Sequence, residues 1–217
     1  MFLLTKELFF PPLTMADDDG LLAVGGDLST QRLLLAYHSG IFPWYNKDEP
    51  ICWWSPDPRF VLYPDEIKVS SSMKTVLQNG TFRFTINRAF TQVIQNCKTI
   101  SRTGQDGTWI SPDMQKAYTN LHELGYAHSA ETWLDGKLVG GIYGIRLGNI
   151  FFGESMFSLK TNASKFAFIN YVKQLQKENV ALIDCQLHTS HLESLGARMI
   201  PRQLFAEALI QDNSKIK

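Results

Sequence analysis

Cysteine is scarce in this chain, and the few cysteines present form no paired motif. The 217 residues contain three, Cys52, Cys97 and Cys185, at wide spacing and with no Cys-x-x-Cys. A disulfide framework and a structural zinc site are therefore not indicated, and a reducing compartment, the cytoplasm, is expected. Phosphate-binding patterns are also missing. Neither Gly-x-x-x-x-Gly-Lys nor Gly-x-Gly-x-x-Gly occurs, so no nucleotide cofactor is predicted.

Long apolar runs and an excess of charge are absent as well. Hydrophobic residues make up 44% of the chain, charged residues 19%, and the formal net charge is zero. This composition is typical of an ordered globular protein and unlike that of disordered or fibrous chains. The start, MFLLTKELFFPPL, has no basic segment before its apolar residues, so no secretory signal is predicted. No apolar run approaches membrane-spanning length, and no membrane partner is expected.

Acidic residues are missing from one long stretch of the sequence. Residues 67–105 contain no Asp or Glu, and the zero total leaves the rest of the chain with a net charge of −6. The stretch has six basic residues: Lys68, Lys74, Arg83, Arg88, Lys98 and Arg102. This asymmetry is compatible with two interpretations, a surface that binds a polyanion and an ordinary solvated basic surface. Phosphate contacts would make binding depend on salt concentration.

The chain divides into two regions that differ in composition and in predicted secondary structure. Residues 1–62 are rich in Pro, Gly and aromatic residues, which indicates a small domain of short strands and loops. One helix is predicted there, with Ser29 as its N-cap and Gly40 beyond its end. Residues 63–217 form the second predicted domain, in which helices and strands alternate regularly.

The second region has clear start, stop and turn signals. Ser111 is expected to cap a helix that Gly125 ends, and Asn162 is expected to cap a long helix. Between them lie three strands, joined at Asp135-Gly136 and Gly148-Asn149, both typical hairpin turns. A further strand (ALIDCQ), a short helix, a strand and a last helix follow. This order is similar to an acetyltransferase-like (GNAT-like) core. The fold class is therefore predicted as α+β, a mixed, mainly antiparallel sheet flanked by helices.

Several chemical groups are crowded around the strand ALIDCQ. Strict alternation along this strand would place Asp184 and Gln186 on one face and Cys185 on the other, among aliphatic residues. Cys185 is therefore expected to be a core residue, and no neighbouring cation is predicted to activate it as a nucleophile. His188 and His191 are two possible metal ligands with no third, so no metal site is predicted. Asp184 could act at a ligand site or cap the following helix.

A second polar group lies within an apolar strand. In NIFFGESMFS, alternation would place Phe152, Glu154 and Met156 on one face. A carboxylate in such company needs a positive partner. That partner could be an ammonium or guanidinium group of a substrate, or an Arg or Lys of the chain itself. Gly153 indicates a β-bulge or a close backbone approach.

Motifs along most of the sequence resemble one family. GGDLS, GIFPWY, WWSPDPR, AYTNLHELGYAHSAETW, LVGGIYGI, FFGESMFS, NASKFAF and LIDCQ…HLESLGA are similar to segments of leucyl/phenylalanyl-tRNA–protein transferases. The resemblance implies an enzyme that moves Leu, Phe or, less well, Met from aminoacyl-tRNA to the N-terminal amine of proteins starting with Arg or Lys. The product carries an N-end-rule degradation signal. No cofactor is implied, and a monomer is expected.

The same resemblance implies roles for individual residues. Asp184 and Gln186 match the catalytic pair, in which the Gln contacts the attacking amine and the Asp polarises the Gln. Glu154 matches an acid that holds the acceptor N-terminus, and Trp44 and Trp109 match rings that grip the 3′-terminal adenosine. The pocket for the donor side chain would consist of Ile142, Phe152, Met156, Phe168, Tyr171 and Leu175. Backbone phosphates of the tRNA would meet Lys68, Lys74, Arg83 and Arg88.

Elementary chemistry agrees with this reaction. Aminolysis of an ester needs no metal or redox group, and an α-amino group with a pKa near 7.8 is partly neutral at pH 7. The enzyme's task is mainly orientation and stabilisation of a tetrahedral intermediate, and the proton acceptor could be Asp184 or water. Two alternatives remain open, a CoA-dependent N-acetyltransferase and a tRNA-binding module without activity. The first is disfavoured because the turn SLKTNAS has no glycine to approach a pyrophosphate.

Overall fold

The computed structural model describes residues 2–46, 48–100 and 109–213. A small mixed sheet is formed by β1 (Phe2–Leu4), β2 (Leu21–Gly25), β3 (Phe42–Pro43) and β4 (Cys52–Trp54), in the order β1-β2-β4-β3. Helix α1 (Thr30–His38) joins β2 to β3. The Ser29 hydroxyl accepts a hydrogen bond from the Arg32 N–H, and Gly40 follows the helix with a φ of 75°. Both end signals of this helix are therefore confirmed.

The larger sheet has seven strands in the order β11-β5-β10-β9-β8-β7-β6. Only β9 and β10 pair in parallel, and the other neighbours are antiparallel. The predicted mixed, mainly antiparallel sheet is thus confirmed. Its strands are β5 (Arg59–Leu62), β6 (Arg83–Ile86), β7 (Ala127–Leu134), β8 (Lys137–Leu147), β9 (Ile150–Ser158), β10 (Leu182–Gln186) and β11 (Arg198–Ile200).

Helices cover both faces of this sheet. One face packs against α5 and α2. The opposite face packs against α3, α4 and the small sheet, and the apolar residues on this second side form one continuous core. Burial of this apolar surface is the main force that holds the layers together. The bounds of the remaining helices are α2 (Ser71–Gln78), α3 (Phe90–Thr99), α4 (Pro112–Glu123), α5 (Ala163–Lys177), α6 (Ser190–Glu193) and α7 (Arg202–Asn213).

Local signals in the second region are mostly confirmed. The Ser111 hydroxyl caps α4, Pro112 is its first residue, and both predicted hairpin turns join their strands. The cap of α5 differs from the prediction. Asn162 adopts a left-handed conformation with a φ of 68°, and its side chain makes no cap hydrogen bond. Instead, the Ser158 hydroxyl accepts from the Ser164 N–H at 3.1 Å, because the chain turns back over the end of β9.

The chain passes from the small sheet to the larger sheet within residues 55–58. Strand β5 pairs with β10 and β11 in the larger sheet, although it lies within the predicted N-terminal domain 1–62. We propose that the structural division lies between β4 and β5. None of the helices in the described part of the chain is long and apolar enough to cross a membrane.

Candidate active site

A β-bulge in β9 presents Glu154. Tyr143 of β8 pairs with Ser155 and Gly144 pairs with Gly153, which leaves Glu154 as the additional residue. The bulge expected from Gly153 is therefore present. It also interrupts the alternation of faces. Phe152 packs in the core with its ring centroid 5.1 Å from that of Tyr37, so the expectation that Phe152 shares a face with Met156 was wrong.

A second bulge lies in the neighbouring strand β10. Asp184 pairs with Val61 and Gln186 pairs with Phe60, so Cys185 is the additional residue. Gln186 has a φ of 57°, in the left-handed region. The predicted strict alternation was therefore wrong here too: Cys185 and Gln186 both line a cavity, while Asp184 is fully buried and does not belong to the described lining.

Glu154 is surrounded by hydroxyl and amide donors. Its Oε1 accepts from the Tyr37 hydroxyl at 2.7 Å and from Gln186 Nε2 at 3.4 Å, and its Oε2 accepts from the Tyr118 hydroxyl at 2.9 Å. The two tyrosine hydroxyls also contact each other. Burial raises the pKa of Glu154 to about 7, although the tyrosine hydrogen bonds oppose that rise. The carboxyl group therefore titrates near neutral pH.

The buried cation of the site pairs with Asp184. Arg59 Nε lies 2.8 Å from Asp184 Oδ1, and Arg59 Nη2 lies 2.7 Å from Oδ2, with both side chains fully buried. Asp184 Oδ1 also accepts from the backbone N–H of Gln186 at 3.0 Å. The internal ion pair considered for Glu154 thus exists one strand away. Asp184 contacts Gln186 through the backbone and not, as expected, through the side-chain amide.

These groups adjoin a cavity of about 550 Å³, which is within the usual range for small-ligand sites. Trp44 is 39% exposed and Trp109 is 9% exposed, and both rings contribute to the wall. The Trp54 indole N–H donates to the Trp44 backbone carbonyl at 2.6 Å, and the two rings pack edge-on with their centroids 5.7 Å apart. Further lining residues include Phe42, Ile100, Ile142, Met156, Phe157, Phe168, Ile183, Leu187, Thr189, His191 and Leu192.

The thiol of Cys185 and the imidazole of His188 have ordinary structural roles. Burial raises the pKa of Cys185, so the thiol stays protonated, in agreement with the sequence analysis. His188 lies 3.2 Å from Glu193, and its ring contacts that of Phe60. Among the residues that the structure describes, no group of three or more His, Cys, Asp or Glu side chains is placed to hold a metal ion.

Comparison with known proteins decides the relationship of this chain. The family Leucyl/phenylalanyl-tRNA protein transferase matches residues 61–210, and its N-terminal domain matches residues 26–57. A leucyl/phenylalanyl-tRNA--protein transferase of Syntrophobacter fumaroxidans is 55% identical over 212 residues, which cover 98% of this chain and 91% of the relative. The chain belongs to the leucyl/phenylalanyl-tRNA protein transferase family. It is therefore a transferase, and the predicted resemblance is confirmed.

Other relatives agree with this assignment. The transferase of Flavobacterium johnsoniae is 56% identical over 209 residues, covering 96% of this chain and 99% of its own length. The transferase of Syntrophus aciditrophicus is 58% identical over 208 residues, covering 96% and 87%. Solved structures are more distant. A GCN5-related N-acetyltransferase from Kribbella flavida is 9% identical, with a TM-score of 0.37 over 78% of this chain and 59% of that one. Likeness at this level says nothing about activity.

The residues expected in the donor pocket separate into two groups. Ile142, Met156 and Phe168 line the cavity together. Phe152, Tyr171 and Leu175 are buried elsewhere and do not belong to its described lining. Tyr171 packs edge-on against Phe151, with 5.0 Å between ring centroids, so its ring is part of the core under α5.

The basic residues expected to meet tRNA are exposed but not clustered. Lys68 follows β5, Lys74 lies on α2, and Arg83 lies on β6. Strands β5 and β6 are five positions apart in the sheet, a separation of about 24 Å at the usual strand spacing. Arg88 lies between β6 and α3, on the side of Arg83. Arg102 lies outside the described residues.

The sequence does not predict three residues that contact Asp184 or Glu154: Arg59, Tyr37 and Tyr118. Arg59 lies in a Pro-rich segment and Tyr37 lies on an amphipathic helix, so a loop residue and a core residue are the simplest interpretations. Tyr118 falls inside the family motif AYTNLHELG, which was a usable signal. For Arg59 the signal was energetic, because a carboxylate on a buried strand requires a positive partner.

Proposed function

We propose that this transferase moves Leu, Phe and, less well, Met from aminoacyl-tRNA to the N-terminal amine of proteins that begin with Arg or Lys. The product is a protein with an N-end-rule degradation signal, made in the cytoplasm by a monomeric enzyme. Family membership supports aminoacyl transfer from tRNA to protein. The finer statements rest on one observation: an apolar cavity whose wall carries the Gln186 amide 3.4 Å from the Glu154 carboxylate.

The donor side chain would occupy the apolar part of the cavity. Ile142, flexible Met156 and aromatic Phe168 contribute apolar surface there, which suits unbranched-β side chains such as those of Leu, Phe and Met. Such pockets discriminate by only about 1–3 kcal/mol per methylene, so some overlap among the three donors is expected.

The 3′-terminal adenosine of the tRNA would stack on tryptophan. Trp44 offers an exposed ring at the cavity wall, held by its contact with Trp54, and Trp109 offers a more buried one. Unpaired bases are commonly bound in this way, with about 1–3 kcal/mol per stacked base. This stacking would place the ester bond of the aminoacyl-tRNA next to Glu154 and Gln186.

The proposed chemistry is aminolysis of that ester. The acceptor amine attacks the ester carbonyl carbon, an amide bond forms, and the bond to the ribose oxygen breaks. Gln186 orients the amine, and Glu154 first attracts it as an ammonium group and then takes one of its protons. Asp184 is a poorer proton acceptor, because both of its oxygens bind Arg59 and its side chain is fully buried. Because the attacking nitrogen begins as an ammonium group and ends as an amide, it gives up two protons: the one that Glu154 takes leaves to solvent, and the second passes from the tetrahedral intermediate to the departing ribose oxygen.

The acceptor specificity would come from the same carboxylate region. A first residue with a guanidinium or ammonium side chain is attracted by an acid within a partly desolvated site. Glu154 is the titratable acid of the described cavity lining. A neutral or acidic first residue would lack this additional attraction, and transfer to it would therefore be slow.

A direct transfer assay tests the proposed function. Radiolabelled Leu, Phe, Met and Val, each attached to tRNA, are incubated with peptides that start with Arg, Lys or Asp. We expect label in the Arg and Lys peptides from Leu- and Phe-tRNA, less from Met-tRNA, and almost none from Val-tRNA. An N-acetylated Arg peptide is the matched control, since it has no free amine. Equal labelling of the Asp peptide would contradict the proposed acceptor specificity.

A further inference from the structure

The pair formed by Arg59 and Asp184 has the geometry of a rigid clamp. Two parallel hydrogen bonds of 2.8 and 2.7 Å join the guanidinium to both carboxylate oxygens. The guanidinium carbon also lies 4.8 Å from the ring centroid of Phe42 and 4.6 Å from that of Phe205. Cation–π contacts with two rings, together with a two-pronged ion pair, leave the Arg59 head one orientation.

This clamp extends directly to the backbone at Gln186. Asp184 Oδ1, already bound to Arg59 Nε, accepts the Gln186 N–H at 3.0 Å. That N–H belongs to the residue with a φ of 57°, a left-handed conformation that is unfavourable for a residue with a side chain. The hydrogen bond therefore stabilises the bulge that places the Gln186 side chain beside Glu154 rather than in the sheet face.

The clamp is also energetically expensive for a purely structural element. Arg59 Nη1 is buried and has no hydrogen-bond partner among the described residues. A buried ion pair is often replaceable by apolar residues without loss of stability. Retaining an unsatisfied donor and two desolvated charges beside the cavity is understandable if the pair holds a strained functional segment in place.

We infer that Arg59 is a positioning residue of the transfer reaction: it orients Asp184, which holds the β10 bulge so that the Gln186 amide faces the reacting amine. Asp184 then acts through the backbone and need not exchange a proton. This inference rests on the proposed transfer function. It assigns a role in the site to a segment, SPDPR, that lies 125 residues away from Asp184 in the sequence.

The substitution Arg59→Lys tests this role, because it keeps the positive charge and removes the two-pronged geometry. Transfer of Phe from Phe-tRNA to an Arg-initiated peptide is measured in single turnover. Enzyme is in excess over Phe-tRNA, so the measured rate is that of the enzyme molecules that have bound tRNA. A misplacement of about 1 Å at a reacting group costs roughly 100-fold in rate. We therefore expect the rate to fall about 100-fold, while the concentration of enzyme at half saturation changes less than about threefold.

The chain contains a matched control. Arg198 forms the same two-pronged pair with Glu66, at 2.9 and 3.1 Å, and lies 4.6 Å from the ring centroid of Tyr63, but it is half exposed. We expect Arg198→Lys to transfer Phe at the wild-type rate. A second variant, Arg59→Ala, should regain part of its rate when millimolar methylguanidinium is added, whereas the wild-type rate should not rise.

The outcomes separate the inference from the proposed function. If the single-turnover rate of Arg59→Lys lies within about threefold of wild type, or if methylguanidinium raises only the folded fraction of Arg59→Ala and not its rate, the positioning role is refuted. Failure of the proposed function would appear elsewhere, as a wild-type protein that transfers no Phe from Phe-tRNA.

Discussion

Glu154 combines features that ordinarily exclude each other. It lies in a mainly apolar wall, yet its two oxygens accept three hydrogen bonds, none of them from a cation. Burial raises its pKa to about 7, so both protonation states are populated at neutral pH. A group with this pKa can hold an ammonium ion when charged and can also give up or take a proton at little cost.

The first prediction concerns the pH dependence of turnover. With acceptor peptide and charged tRNA both saturating, kcat should fall as the pH drops below about 7, because protonated Glu154 neither attracts an ammonium group nor accepts a proton. Glu154→Gln should lose roughly 100-fold in kcat, and its residual pH profile should lack the inflection near 7. A retained inflection in this variant would assign the titration to another group. Glu178→Gln, at the partly exposed ion pair with Arg146, is the control.

The same titration has a defined sign in stability. The folded-state pKa lies above the ordinary value of 4.5, so the native protein keeps a proton that the unfolded chain releases. This contribution is complete below pH 4.5 and is lost as the pH rises to about 7, by at most about 3 kcal/mol. Denaturant unfolding of wild type and Glu154→Gln at pH 5 and pH 8 should therefore show the gap between them shifting in favour of the variant at pH 8.

Bulges in adjacent strands shape the site, and a glycine lies on each side of the bulge in β9. Only at Gly144 is the absence of a side chain required by a close backbone contact. A β-carbon built on Gly144 would lie 2.2 Å from the Phe152 carbonyl oxygen and 2.4 Å from the Phe151 ring. A β-carbon on Gly153, directly opposite in the pairing, would lie 3.6 Å from its nearest neighbour, the Asp184 carbonyl oxygen. The backbone of β8 is thus the tightly packed partner, and β9 has room.

The second prediction compares these two glycines. Gly144→Ala should lower the free energy of unfolding by about 3 kcal/mol or more, because backbone and ring atoms of β9 must move. Gly153→Ala should cost about 1 kcal/mol or less. Thermal or urea unfolding of both variants provides the measurement. Similar losses at the two positions would mean that the bulge itself, and not the clash at Gly144, limits substitution.

The basic segment, as we call the acid-free residues 67–105, has its described basic side chains spread across the molecule and not clustered at one point. It runs from the end of β5, over α2, to the edge strand β6, and its Lys and Arg side chains at 68, 74, 83 and 88 are exposed. An A-form acceptor stem displays phosphates over a comparable length, and such contacts read shape and not sequence. If these residues form only an ordinary solvated surface, replacing them should not change the salt dependence of tRNA binding.

The third prediction uses that difference. Replacing Lys74 and Arg83 together by Ala should weaken binding of Phe-tRNA and reduce the slope of log affinity against log salt by about 1.5, if each side chain meets one phosphate. Transfer from an aminoacyl-adenosine fragment, which has no stem, should be almost unchanged. The control replaces Lys6 and Lys177, which are exposed outside this segment. Equal losses on tRNA and fragment would indicate that the segment supports the fold.

Local information in the sequence was sufficient for most elements. Ser29 and Ser111 cap their helices, Asp135-Gly136 and Gly148-Asn149 turn their hairpins, and the order of strands and helices leads to the observed sheet. These features depend on neighbours within a few residues, where propensity and hydrogen bonding act directly. Family motifs likewise lie in continuous segments, so the relationship could be predicted from them.

Tertiary structure alone decided which groups meet. One inserted residue in β9 and one in β10 reversed the expected faces, because the period-2 pattern of a strand cannot show where its partner skips a residue. The pairing of Arg59 with Asp184, and of Tyr37 and Tyr118 with Glu154, joins segments 125, 117 and 36 residues apart. Contacts over such distances arise from packing of whole layers, and no local pattern in the sequence encodes them.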